Sequence, residues 1–141
     1  EMAGIKLSQA WQIIETALAH GRATDCLPLG IAVLDPGGHL VAFAREDGTS
    51  FLRPKIAEAK AYVALGMGMG SRALVERPEY FMAMLNDATG GRALKAPGGV
   101  LVRDAAGELL GAVGVTGDVS DRDEACAVKG IEAAGLVAET G

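Results

Sequence analysis

Apolar and polar positions alternate along this chain with two different periods, and the switches between them predict its elements. From Leu7 to about Gly21, apolar Ala10, Trp11, Ile14, Ala17 and Leu18 recur at steps of three and four, which predicts an amphipathic helix. Leu29 to Leu34 and His39 to Ala44 are apolar runs separated by the turn Pro36-Gly37-Gly38, which predicts an antiparallel hairpin. Arg53 to Leu65 and Pro78 to Ala88 return to helical spacing, with Pro78 suited to a first turn. A second hairpin follows: Gly99 to Arg103, the turn Asp104-Ala105-Ala106-Gly107, and Glu108 to Val115. Gly111, Gly114 and Gly117 interrupt its last strand, and a glycine within a strand marks a bulge or the close approach of another group.

The last helix is expected to start at Ser120, with Asp123 reaching back in a capping box. Its predicted buried stripe is Ala127, Val128, Ile131, Ala134, Gly135 and Ala138, small enough for close packing against a sheet or a partner subunit. Four strands with helices grouped around them make an α+β layered domain.

At 141 residues the chain is expected to be one domain, 1–141. Half of it is apolar, 22% is charged, and no apolar run nears the roughly 20 residues that span a bilayer, so the expectation is a soluble cytoplasmic protein without a membrane partner. The start Glu1-Met2-Ala3 shows no basic-then-apolar leader, from which no signal peptide is expected. A net charge of −5 argues against a nucleic-acid partner. Cys26 and Cys126 lack the spacing of a zinc site and are expected to be free thiols. Gly66-Met67-Gly68-Met69-Gly70 has neither the spacing of a dinucleotide loop nor a GK[ST] ending, and reads as a helix break with methionine filler.

Several residues carry candidate chemistry. Lys60, set among Ile56, Ala57, Ala61, Val63 and Ala64, is a candidate base or anion-binding cation, or a snorkelling surface lysine. Asp123 and Glu124 are candidate acids or bases, or answers to a helix dipole. The backbone amides of Gly98 and Gly99 could hold a carboxylate or oxyanion, or the triplet Pro97-Gly98-Gly99 could simply turn the chain. Arg92 and Lys95 add positive charge before it. His20, near the end of the first helix, is a candidate iron ligand or a dipole partner, whereas His39 should face solvent.

Ile31-Ala32-Val33-Leu34-Asp35-Pro36-Gly37-Gly38, Pro97-Gly98-Gly99, Leu109 to Gly117 and Asp121 to Ala127 together resemble the GlcG/HbpS family, the haem-binding-protein-like domain also found at the C-terminus of PduO-type proteins. The resemblance runs from about Leu7 to Leu136. It implies a profilin-like antiparallel sheet of about five strands, flanked by N- and C-terminal helices and a helical middle segment, and assembly into homo-oligomers from dimer up to octamer. It also implies haem as a possible cofactor, with His20 matching the first-helix histidine that ligates iron in the PduO-type branch. Lys60 matches the family's Lys-Ala pair, and Arg45-Glu46-Asp47-Gly48 its polar turn, so Arg45 joins Lys60, Gly98, Gly99 and Asp123 as expected cofactor contacts. Leu101 stands where members often carry proline, and Ala57-Glu58-Ala59 where they carry a hydroxyl.

Three functions follow as expectations: a haem-binding or haem-handling protein; a cofactor-independent enzyme on a small carboxylated or carbonyl metabolite, with Lys60 or Glu124 moving a proton; or an assembly module that binds a ligand unchanged.

Overall fold

The computed structural model describes residues 4–141; the opening Glu1-Met2-Ala3 lies outside them. Helix α1 (Leu7–Ala23) leads into strands β1 (Gly30–Leu34) and β2 (Leu40–Arg45). Helix α2 (Arg53–Met67), a 3₁₀ turn at Ser71–Leu74 and helix α3 (Glu79–Ala88) form the middle of the chain. Strands β3 (Gly99–Arg103) and β4 (Leu109–Thr116), helix α4 (Ser120–Ala133) and the short strand β5 (Val137–Glu139) complete it. The five strands form one sheet in the order β2-β1-β4-β3-β5, with every neighbouring pair antiparallel. This is the α+β architecture expected, with the fifth strand that periodicity alone did not predict.

Helices cover both faces. On one, α1 and α4 bury Ile13, Ile14, Ala17, Cys126, Ala127 and Ile131 against the alternating Ile31, Val33, Val100, Val102, Val113 and Val115. On the other, α2 lays Ala61 and Ala64 over Leu34, Leu101 and Ala112. Both faces of β1 and β4 are therefore buried, which is why those strands read as nearly continuous apolar runs.

Close approach explains two of the glycines. A Cβ on Gly114 would overlap the Ala57 carbonyl oxygen, and one on Gly99 the Lys60 carbonyl oxygen, so the α2 backbone rests directly on the sheet. Gly68, at φ +72°, closes α2 in the left-handed region, so the glycine-methionine segment is indeed a helix end.

Three local expectations are corrected. The buried face of α1 is Ala10, Ile13, Ile14, Ala17 and Gly21; it keeps Ala10, Ile14 and Ala17 of the expected stripe but takes in Ile13 and Gly21 in place of Leu18 and of Trp11, which is 43% exposed. Helix α4 is capped at Val119 without a side-chain cap: Asp123 accepts from the Asp118 amide at 2.9 Å rather than reaching Ser120. The helix stops at Ala133, so Ala138 belongs to β5, and the buried stripe is Asp123, Cys126, Ala127, Gly130 and Ile131. No helix among the described residues is long and apolar enough to cross a membrane.

Candidate functional site

Lys60 sits in the middle of α2, where Ala57, Ala61 and Ala64 are small enough for the helix to lie against the sheet. Its side chain is carried inward past Gly98 to the end of β4. There Nζ donates to the Val115 carbonyl at 2.9 Å and to Asp123 Oδ2 at 3.2 Å. The ion pair is enclosed, with 4% of the lysine side chain and 1% of the aspartate exposed. Burial pushes the Lys60 ammonium below its usual range and the Asp123 carboxyl above its own, with the opposite charge of each pulling against that shift.

Gly98 makes the arrangement possible. Its φ of +120° is accessible to glycine, and a Cβ there would lie 2.8 Å from Lys60 Nζ. The Gly98 carbonyl accepts from the Val115 amide at 2.9 Å, but the Val115 carbonyl is taken by the lysine. The Gly99 amide donates to Ser71 Oγ at 2.8 Å, and that hydroxyl donates to the Ala96 carbonyl. The glycine loop is thus fastened from within by Ser71 and Lys60. Beside it, Arg53 donates to Thr116 Oγ1 at 2.9 Å.

Glu124 faces away from this pair. Arg72 holds it through Nε and a terminal nitrogen, each at 3.0 Å, and also reaches Asp121. The hydrogen bonds that Arg72 donates to Glu124 and then to Asp121 push its guanidinium above its usual range.

His20 lies at the end of α1, on the helix layer across the sheet from α2. Its ring is partly exposed and has no hydrogen-bond partner among the described residues, although its backbone carbonyl accepts from Thr24 N and Oγ1. Arg45 is exposed at the end of the edge strand β2, in a groove shared with Arg22, Pro28, Glu46 and Asp47.

Residues 5–132 match the family model described as haem degrading protein HbpS-like. The chain belongs to the HbpS-like family. Solved structures of the same fold include a PduOC:haem complex, 19% identical with a TM-score of 0.85 over 95% of this chain and 97% of that one. The protein ORFY of Klebsiella pneumoniae is 20% identical, with a TM-score of 0.85 over 96% and 93%. A double mutant of HbpS from Streptomyces reticuli is 23% identical, with a TM-score of 0.80 over 94% and 88%. Among curated proteins no sequence relative matches significantly.

Within this HbpS-like chain, then, Lys60, Gly98, Gly99 and Asp123 come together, while Glu124, His20 and Arg45 stand apart. The Gly99 amide, a candidate for holding a carboxylate or oxyanion, is bound to Ser71, and the candidate acids Asp123 and Glu124 are paired with Lys60 and Arg72. Lys60, 3% exposed, would have to give up both its acceptors to move a substrate proton. Ser71 and Arg72 were invisible to sequence reasoning because their partners lie 28 and 52 positions away.

Proposed function

We propose that this protein binds haem, and that His20 would be the residue holding its iron. The observation that carries the reading is the His20 imidazole: partly exposed on α1 and without an internal partner, it is a nitrogen donor available to an incoming group. Membership of the HbpS-like family and similarity in fold to a protein solved as a haem complex support it. The donor chemistry suits haem, since the porphyrin brings its own four nitrogens and one protein ligand completes the attachment. When bound, haem would supply the iron's redox and ligand chemistry. Arg45 and Arg22, in one groove with the end of α1, are the cations proposed to meet its propionates.

The proposal includes assembly of several copies and a cytoplasmic location. Trp11, Phe51, Leu52 and Tyr80 are 43%, 79%, 51% and 72% exposed, large apolar side chains of the kind that a homo-oligomer interface covers. Hemin titration followed at the Soret band tests the central claim. A saturable red shift in the wild type, lost in His20→Ala with folding intact by circular dichroism, supports it; no shift, or an unchanged shift in His20→Ala, overturns it. Light scattering tests assembly, because a monomer of 14.4 kDa would contradict it.

A further inference from the structure

A cleft of about 280 Å³ opens on the α2 side of the sheet, between the β1–β2 turn, the end of α2 and α3. It lies at the seam of two apolar clusters. Of its lining residues, Tyr62 and Leu65 pack on the cluster of Leu34, Ala61, Ala64, Leu101 and Ala112. Val63, Met67 and Leu85 belong to the smaller cluster that joins α2 to α3 around Leu74 and Met82. Tyr62, Leu65, Met67 and Leu85 are each only half-buried, so apolar surface from both clusters is left open along the seam. One side of the cleft is firm: Gly38 has φ +83°, and a Cβ there would lie 2.9 Å from Tyr62 Cε2, so the β1–β2 turn presses on the edge of that ring. The other is loosely held, since α3 buries only Met82.

The polar groups of the wall narrow the occupant. No lining residue carries a charged side chain. Arg92 stacks on Tyr62, its guanidinium carbon 3.8 Å from the ring centroid, but it lines a separate groove with Lys55 and Glu58. The Thr89 hydroxyl is committed, donating to the Leu85 carbonyl at 2.8 Å and accepting from the Arg92 amide at 3.1 Å. What remains are the Tyr62 phenol and the carbonyls of Gly66 and Met67 at the end of α2, which accept no backbone hydrogen bond among the described residues. An ion entering the cleft would lose water and find no counter-charge in the wall, and the negative end of α2 adds to that cost for an anion. A neutral hydroxyl meets acceptors that nothing else has taken.

We infer that this cleft binds a small uncharged molecule with an apolar body and one hydroxyl, the body filling the seam between Leu65 and Leu85 and the hydroxyl turned toward the end of α2. A volume of about 280 Å³ lies just under the roughly 300–1,000 Å³ typical of drug-sized ligand sites, which limits the occupant to one ring or a short branched chain. The site lies on the helix layer opposite His20 and does not depend on haem.

Two substitutions can plug the cleft. Gly66 is on its wall in the last turn of α2, and an added Cβ would meet nothing within 4 Å, so Gly66→Leu adds bulk there without a clash. Leu85→Trp adds bulk from the α3 side. The probe is 2-phenylethanol, titrated against the labelled protein while amide shifts are recorded, with phenylacetate and 2-phenylethylammonium as charged counterparts of the same size. The expected result is saturable shifts at Gly38, Gly66 and Leu85, slower amide exchange along α3, and binding of the alcohol about tenfold tighter than phenylacetate and no weaker than the ammonium. Both variants, folded by circular dichroism, should lose these shifts. Absence of shifts, shifts confined to other surfaces, a charged counterpart that binds more tightly than the alcohol, or binding that survives both substitutions each overturns the assignment. Hemin spectra of Gly66→Leu should match the wild type; if they are lost, the cleft belongs to haem and the small-alcohol site falls while haem binding stands.

Discussion

Lys60 Nζ and Asp123 Oδ2 lie 3.2 Å apart in a space closed to solvent, tying the middle of α2 to the first turn of α4. Removing one partner leaves the other buried and unpaired. Lys60→Met or Asp123→Leu alone should therefore cost about 3–5 kcal/mol in urea unfolding. The double replacement should recover most of that loss, since burial already outweighs attraction in the shifts of both groups.

The same pair gives a pH test whose sign is fixed. A carboxyl whose folded pKa lies above its unfolded value holds its proton preferentially in the folded state. Its stabilising effect is complete below the unfolded pKa and is lost as pH rises through the folded one. Asp123 is raised even with Lys60 present, and losing the ammonium raises it further. Lys60→Met should accordingly be more stable at about pH 5 than at about pH 8, and a flat profile there would remove the buried-carboxylate explanation.

Asp118 behaves in the opposite sense. The Leu27 amide donates to it at 2.8 Å and the Val119 amide at 2.7 Å, which holds its carboxyl below the usual 3.8. Its contribution is present above that value and disappears as pH falls through the folded one. Asp118→Asn should flatten the acid limb of the stability curve below about pH 4, measured by denaturant midpoints.

Close backbone packing predicts a sharp contrast among glycines. Gly114→Ala and Gly99→Ala would drive a methyl into carbonyl oxygens of α2, and each should cost about 3 kcal/mol or more in thermal or urea unfolding. Gly66→Ala, with open space around it in a helix, should instead add up to about 1 kcal/mol.

Cys26 and Cys126 should resist thiol reagents in the native state. Both are buried, and burial together with the neighbouring Cys26 pushes the Cys126 thiol up to about 12. Labelling should track global unfolding in denaturant; rapid labelling without denaturant would contradict the enclosed placement.

The elements themselves were legible because their periods are local: β3 was read at Gly99–Arg103, its observed bounds, and the other predicted helices and strands fall within a few residues of theirs. Strand β5 was not, since three residues carry no usable alternation and Val137–Glu139 is a strand only through pairing with β3. Lys60 was flagged by its apolar setting, but its partner stands 63 positions away, so its enclosure could not be read. Asp123 was placed correctly near the start of α4 and given the wrong partner, because the capping pattern ignores a cation arriving from another helix. The face of α1 was read correctly at Ala10, Ile14 and Ala17 but wrongly at Trp11, which counts as apolar in a pattern yet remains 43% exposed.

The lysine that donates to the Val115 carbonyl takes a position in the hydrogen-bond ladder at the margin of β3. A side chain from a helix thus occupies the β4 carbonyl just past the last β3–β4 pair and joins it to α4. Helix α2 cannot lift from the sheet without loosening the β3–β4 seam and the start of α4 in the same event. Amide protons of the central α2 turns, of Val113 and Val115 and of the first α4 turns should therefore exchange as one cooperative unit, slower than the β2 edge.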